Sequence, residues 1–218
     1  MDDSASLDSF LGKWRTRWPE WELLSVFVPA PQRDVVAAWF SLLQELGDAA
    51  WAGAEPTPGL AKLAWWQEEL VGWSRGARRH PLGAALQRLD APWELLGRAL
   101  AALPATRAPA SEGEDGAALE RFASAMLACE AALFGGGTAE GSALAAAALD
   151  LRGMRALVQG GPLPASDRRA AAAGLTRPRR LHQAAVDQRL RRQGTGGAMT
   201  RPLTLRLLLA GWRAARRG

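Results

Sequence analysis

The sequence predicts an all-α fold, a single-domain helical bundle over residues 1–218. Two observations support this prediction. Ala, Leu and Arg are abundant, Tyr is absent, and the β-branched residues Val and Ile are scarce, a composition that favours helices over strands. Apolar residues also recur at steps of three and four along most of the chain, which is the spacing of one helix face. A chain of this length forms one domain with a buried core.

The N-terminal part predicts three helices separated by prolines. The first two cover residues 6–17 and 20–28. The third begins after Pro29 and Pro31, where a missing backbone N–H costs nothing, and runs to Trp51. Its apolar face is predicted to carry Val35, Val36, Trp39, Leu42, Leu43, Leu46 and Ala50. We expect Trp14, Trp18 and Trp21 to pack in the core rather than to stack on nucleic-acid bases.

The next stretch, residues 55–86, contains the longest uninterrupted helical pattern. Its helix follows two prolines and is expected to end near Gly76. Trp65 falls off the apolar stripe, which predicts a helix that is covered on more than one face. The stripe itself consists of Leu60, Leu63, Trp66, Leu70 and Trp73. We expect burial at the centre of the core for Leu63, Trp66 and Leu70.

The second half predicts further helices and one loop. A helix over residues 81–103, broken near Pro92, precedes a flexible loop at about residues 104–116, which is rich in Pro, Ala, Ser, Gly and acids. Three consecutive glycines separate the two helices that follow. The remaining helices are predicted over residues 117–134, 138–158 and 178–192, and from residue 201 onward.

Charge is distributed unevenly along the chain. Residues 1–150 hold 12 Lys and Arg against 20 Asp and Glu, whereas residues 151–218 hold 15 against 2, so the two parts carry charges of −8 and +13. The basic C-terminal segment, residues 165–218, fits nucleic acid, an anionic membrane surface, a phosphorylated substrate or the acidic part of the same chain. We favour the acidic part of the chain, and nucleic acid is the least expected partner.

Several kinds of chemistry are disfavoured by the residues present. The single cysteine, Cys129, lies in an apolar helical pattern typical of a core residue. The two histidines, His80 and His182, are far apart and lack the ligand spacing of a zinc site, so no metal site is predicted. No apolar run is long enough to span a bilayer, and no secretory leader is evident. The expected localisation is cytoplasmic, or peripheral to the inner face of the membrane if the tail binds there.

The run EPTPGLAKLAWWQEEL, with its Trp65-Trp66 pair, and the later His80-Pro81-Leu82 resemble the squalene/phytoene synthase family. The likeness is to divergent bacterial members and to the phytoene-synthase-like complex I assembly factor group. A weaker likeness, PAPQRDVVAAWFSLLQELGD, lies upstream, and the two together cover roughly residues 20–90. The resemblance implies the isoprenoid synthase fold. It also implies head-to-head condensation of allylic diphosphates, in which two aspartate-rich motifs hold Mg²⁺.

Both motifs are eroded in this chain. Only Glu45 and Asp48 remain where the first motif is expected, and a solvated polar helix face explains them without a metal. In the second region, ALDLRGMRAL, Ala156 replaces the aspartate that would follow Arg155. Glu45 and Asp48 are therefore remnant catalytic candidates only, and no cofactor is expected unless the chain is an active, Mg²⁺-dependent enzyme.

Two other acids interrupt apolar stripes, namely Glu130 and Asp150. A buried carboxylate must be paired or protonated. These two are either the last carboxylates of an active-site cavity or structural partners of arginines from a neighbouring helix, and we favour the second interpretation. The arginines considered for this role, and as diphosphate contacts, are Arg152 and Arg155.

Together these features predict a non-catalytic binding or assembly protein, with a protein partner or a prenyl lipid as its ligand. The alternative is an active prenyltransferase that condenses farnesyl or geranylgeranyl diphosphate. A third possibility is a peripheral membrane or nucleic-acid binder that uses the basic tail. In the final helix one face carries Leu203, Leu207, Ala210 and Ala214, and it is broadened by Leu208 and Trp212. That face is expected to dock on the domain, in preference to an anionic bilayer.

Overall fold

The computed structural model describes residues 3–137, 140–161, 174–194 and 205–216. Within these ranges the chain is helical and contains no strand, so the all-α prediction is confirmed. Short 3-10 turns occur at Ser25–Phe27, Ala30–Gln32, Leu100–Ala102 and Pro104–Thr106. The helices are α1 (Asp3–Arg17), α2 (Glu20–Leu24), α3 (Arg33–Trp51), α4 (Thr57–Ser74), α5 (Gly83–Leu86), α6 (Trp93–Ala99), α7 (Glu112–Phe134), α8 (Gly141–Gln159), α9 (Arg177–Gly194) and α10 (Leu205–Arg216).

Helix α3 lies at the centre of the bundle. It packs against α1, α4 and α8, and its predicted apolar face is buried except for Val35, which is only partly buried. Trp39 and Leu42 are fully buried. Arg107 closes the C-terminal end of α3 by donating to the carbonyl oxygens of Ala50 and Ala52, each at 3.1 Å. These bonds satisfy carbonyl groups that have no partner within the helix.

Helix α4 crosses α3 at very short range. A Cβ atom on Gly59 would lie 2.2 Å from the carbonyl oxygen of Ala49, so only glycine permits this approach. Further along α4, Leu63, Trp66 and Leu70 are buried, as the stripe predicts. Leu60 is 45% exposed, against the expectation that it lies on the buried stripe.

A buried carboxylate holds the chain reversal after α4. Glu69 Oε1 accepts hydrogen bonds from the indole Nε1 of Trp73 at 2.8 Å and from the backbone N–H groups of Arg79 and His80 at 2.7 and 2.8 Å. Burial opposes ionisation of this carboxyl, but the donors around it hold its pKa below the usual value. Glu69, together with Trp73 and the backbone of Arg79 and His80, therefore fixes the turn between α4 and α5.

Two predicted boundaries between residues 81 and 116 are wrong. The helix expected over residues 81–103 does break near Pro92, since α6 begins at Trp93, but the part before the break is only the short helix α5 followed by turns. The loop expected at about residues 104–116 is shorter, because α7 begins at Glu112. Ser111 caps this helix, since its Oγ accepts a hydrogen bond from the N–H of Glu114 at 3.2 Å. Acidic residues, which we interpreted as loop composition, suit the positive end of a helix dipole.

Helix α10 docks on the domain against α2 and α9. Leu207 and Gly211 are buried, and a Cβ on Gly211 would lie 2.7 Å from Leu24 Cδ2. Arg180 donates from Nε to the carbonyl oxygen of Ala214 at 2.7 Å. Leu203, also predicted on this face, lies outside the described residues. None of the described helices has the length and apolar character needed to cross a membrane.

Candidate functional site

Four ionisable side chains form a buried-charge cluster, made of Glu130, Asp150, Arg179 and His182. Glu130 comes from α7, Asp150 from α8, and the other two from α9. Their exposed fractions are 0%, 1%, 1% and 3% respectively. Because an isolated ion is very costly to remove from water, ionised groups at this depth require partners. The cluster is the largest concentration of buried charge in the described residues.

Arg179 joins the two carboxylates. Its Nε donates to Glu130 Oε1 at 3.0 Å, and its Nη1 donates to Asp150 Oδ2 at 2.9 Å. Its guanidinium also lies over the ring of Phe40, 5.0 Å from the centroid. Trp39 adds a hydrogen bond from its indole Nε1 to Glu130 Oε1 at 2.8 Å. The carboxylate of Glu130 therefore receives hydrogen bonds from both α3 and α9.

His182 packs between an aromatic ring and a carboxylate. Its Nδ1 lies 3.3 Å from Asp150 Oδ2, and its ring stacks on Phe40 with centroids 4.4 Å apart and planes 2° from parallel. Asp150 Oδ1 has no hydrogen-bond partner within the described residues. Asp150 is thus the less completely satisfied of the two acids.

The ionisation of the cluster follows from burial and from the charge on Arg179. Burial lowers the pKa of His182, although the Asp150 carboxylate opposes the shift. Burial would raise the pKa of Asp150, but His182 and Arg179 together hold it below its usual value. Where His182 is neutral, Arg179 is the cationic side chain that contacts both acids.

Among the described residues, one cavity touches Arg179 and His182. Its volume is about 10 Å³, and its other walls include Trp51 and Phe122. This is close to the smallest volume that holds one water molecule. A prenyl chain does not fit there while the side chains keep these positions.

The arginines predicted to pair with the buried acids lie elsewhere. Arg155 Nη2 donates to Asp115 Oδ2 at 2.9 Å, and Arg152 Nε lies 3.2 Å from the same oxygen. The pairing of Arg152 or Arg155 with Glu130 or Asp150 is therefore wrong. Residues two apart on a helix point in nearly opposite directions, so Arg152 cannot share a face with Asp150. Asp115 was missed because it was assigned to the loop.

The remnant candidates Glu45 and Asp48 lie on α3 and are each paired. Glu45 Oε2 accepts a hydrogen bond from Lys62 Nζ at 2.7 Å, and Asp48 Oδ1 lies 3.2 Å from Arg17 Nη2. Partial burial raises the pKa of Asp48, although Arg17 opposes the shift. No group of three or more His, Cys, Asp or Glu side chains in the described part of the chain is arranged to hold a metal ion.

The sequence pattern alone predicted neither Arg179 as the partner of both acids nor His182 as a member of the cluster. A signal was present in the spacing. Arg179, His182, Val186 and Leu190 follow steps of three and four, so two ionisable residues lie on the apolar stripe of α9. Cys129 is fully buried as expected, and burial raises the pKa of its thiol, which makes it a poor nucleophile.

Comparison of the chain with protein-family models, with curated proteins and with solved structures gave no significant match. The resemblance to squalene/phytoene synthases therefore rests on the sequence stretches quoted above.

Proposed function

We propose that this chain is a non-catalytic binding or assembly protein built on a scaffold similar to that of the squalene/phytoene synthases. One observation carries the proposal. The buried acids Glu130 and Asp150 are both bound to Arg179, and the adjoining cavity has a volume of only about 10 Å³. Allylic diphosphate chemistry requires free carboxylates that hold Mg²⁺ and an apolar chamber beside them.

The state of the outer carboxylates supports the same proposal. Glu45 and Asp48 are neutralised by Lys62 and Arg17. Mg²⁺ binding would require these ion pairs to break, because the metal would compete with Lys62 and Arg17 for the same carboxylate oxygens. A scaffold of this kind presents surfaces to a partner, either a protein or a prenyl lipid, rather than a reaction chamber.

Diphosphate release tests the proposal directly. The purified chain is incubated with Mg²⁺ and either farnesyl or geranylgeranyl diphosphate, and we expect release at the background rate. Mg²⁺-dependent release that disappears in the Glu45→Ala, Asp48→Ala double variant would establish the prenyltransferase alternative instead. The matched control replaces two exposed acids away from α3, Glu55→Ala with Glu112→Ala.

A second candidate function, binding to an anionic membrane surface, is favoured by the outer face of α10. Leu205, Leu209 and Trp212 are 81%, 51% and 47% exposed and follow steps of four and three. The helix contains no acidic residue, and its arginines are exposed: Arg206, Arg213 and Arg216. An apolar ridge flanked by arginines suits a bilayer interface, where each arginine contributes about 1 kcal/mol.

Vesicle sedimentation tests this second candidate. We expect binding to vesicles that contain phosphatidylglycerol, little binding to pure phosphatidylcholine, and loss of binding in Leu209→Ser. The control, Leu95→Ser, removes a leucine of similar exposure, 49%, from α6. Equal binding by the Leu209→Ser and Leu95→Ser variants would show that α10 is not the surface that contacts the membrane.

A further inference from the structure

A groove lined by tryptophans lies between the end of α1, α2 and the beginning of α3. Its volume is about 570 Å³, which is within the range of about 300–1,000 Å³ typical of small-molecule sites. The rings of Trp14, Trp18 and Trp21 form its walls together with Val28 and Val36. We call it the tryptophan groove. Neither the buried-charge cluster nor Glu45 and Asp48 line it.

Two indole donors in the groove walls have no acceptor. Trp14 Nε1 and Trp21 Nε1 are buried and have no hydrogen-bond partner in the part of the chain that the structure describes. Trp18 differs, since its Nε1 donates to Gln44 Oε1 at 2.8 Å and Arg189 lies 3.8 Å from its ring centroid. An indole N–H can only donate, and leaving it unpaired in the interior is costly. Trp18 is thus a fixed wall, while the other two rings lack an acceptor.

The mouth of the groove carries no net charge. Arg15 and Arg33 lie there together with Glu22 and Asp34. Arg15 Nη2 and Asp34 Oδ1 are 3.9 Å apart, and Arg33 donates from Nε to the carbonyl oxygen of Val28 at 3.2 Å. Equal numbers of positive and negative side chains favour neither an anion nor a cation. A neutral ligand fits this mouth best.

We propose that the tryptophan groove binds a neutral, largely apolar aromatic molecule that carries a carbonyl oxygen. The flat ring system of the ligand packs on the tryptophan walls, which the entering ligand must first uncover because these side chains are only 2–5% exposed. The carbonyl oxygen accepts a hydrogen bond from Trp14 or Trp21. Because neither nitrogen is open to water, the rings must shift slightly as the ligand enters, and no water has to be displaced from either donor. This inference rests on the proposed binding role and names a site and a ligand class for it.

A matched pair of probes isolates the hydrogen bond. 2-Acetylnaphthalene and 2-ethylnaphthalene have nearly the same size, but only the first carries a carbonyl oxygen. We expect saturable one-to-one binding by titration calorimetry, with the ketone bound about fivefold more tightly, the effect of one net hydrogen bond. Binding of the probes is measured independently of diphosphate release. A failure of the groove proposal can therefore be told apart from a failure of the proposed non-catalytic function.

Two Trp→Phe variants test whether the indole N–H groups of the groove donate to the ligand. Trp14→Phe with Trp21→Phe keeps two aromatic rings and removes both N–H groups, and it breaks no hydrogen bond of the ligand-free protein. The double variant should bind both naphthalenes equally. Trp66→Phe is the control, because its Nε1 is also buried without a partner but lies on α4, outside the groove. That variant should keep the preference for the ketone.

A blocking variant tests the location. Thr16 lies on the groove lining and is exposed, so Thr16→Trp fills the groove without disturbing the core. It should weaken both probes at least tenfold while Tm stays unchanged. The inference is overturned if neither probe saturates, if the double Phe variant keeps the ketone preference, or if Thr16→Trp binds normally. Tighter binding of dodecanoate than of the ketone, or a dimer that Thr16→Trp dissociates, would assign the groove to an anion or to a second copy instead.

Discussion

Arg179→Met tests whether the buried-charge cluster holds the fold together. The substitution keeps an unbranched side chain of similar length and removes the guanidinium that binds Glu130 Oε1 and Asp150 Oδ2. Both carboxylates then remain in a site that is at most 1% exposed. Breaking a buried ion pair by removing one partner costs about 3–5 kcal/mol. Two acids lose their counter-charge here, so we expect a loss near the upper end of that range at pH 7.

Urea unfolding at several pH values measures the effect. The loss should shrink as the pH falls, because without Arg179 the burial that raises the pKa of Asp150 is less opposed, and protonation removes the unpaired charge. Adding Glu130→Gln and Asp150→Asn to Arg179→Met should recover a large part of the stability, since neutral amides avoid the buried charge. The control is Arg98→Met, which removes an exposed arginine paired with Glu94. It should change stability by less than about 0.5 kcal/mol.

Two results would refute this reasoning. A loss below about 1 kcal/mol for Arg179→Met would mean that the acids are protonated or hydrated in the folded chain. An equal loss for the triple variant would mean that Arg179 stabilises the fold through packing on Phe40 rather than through charge.

Three further predictions concern the stability of the fold. Trp66→Ala should lower the free energy of unfolding in urea by about 3–5 kcal/mol, and a loss under about 1 kcal/mol would place α4 at the surface. Gly211→Val should lower Tm, since overpacking against Leu24 costs about 1–3 kcal/mol; an unchanged Tm would contradict docking. Stability should fall as pH drops below about 6.5, because burial lowers the pKa of His182 and His80 and the unfolded chain binds more protons. His182→Gln should make this fall shallower, and an unchanged slope would exclude its contribution.

The spacing of apolar residues was sufficient to predict the helices and most of the core. Leu63, Trp66 and Leu70 are buried because residues three and four apart share a helix face whatever the rest of the chain does. Helix ends were less predictable. The start of α7 depends on one cap at Ser111, and the acid-rich composition around it is equally typical of a loop. The resemblance to squalene/phytoene synthases and the function that it implies stay predictions.

Only the tertiary structure decided which charges meet. The sequence showed that Glu130 and Asp150 interrupt apolar stripes, but their partner, Arg179, is 49 and 29 residues further along the chain. Partner choice depends on how α7, α8 and α9 cross and rotate about their axes. Arg152 and Arg155 are close to Asp150 in sequence, yet they face Asp115 on α7 because of their position around α8.

The two faces of α10 illustrate the same division. Apolar spacing correctly predicts that the face with Leu207 docks on the domain, but it extends that face to Trp212, which is 47% exposed. The close approach of Gly211 to Leu24 places Leu207 inside and leaves Leu209 and Trp212 exposed. Helical periodicity is a property of the local chain, and it was readable from the sequence. How far the covered face extends is decided by contacts between residues far apart in the chain, and the three-dimensional packing was needed to reveal it.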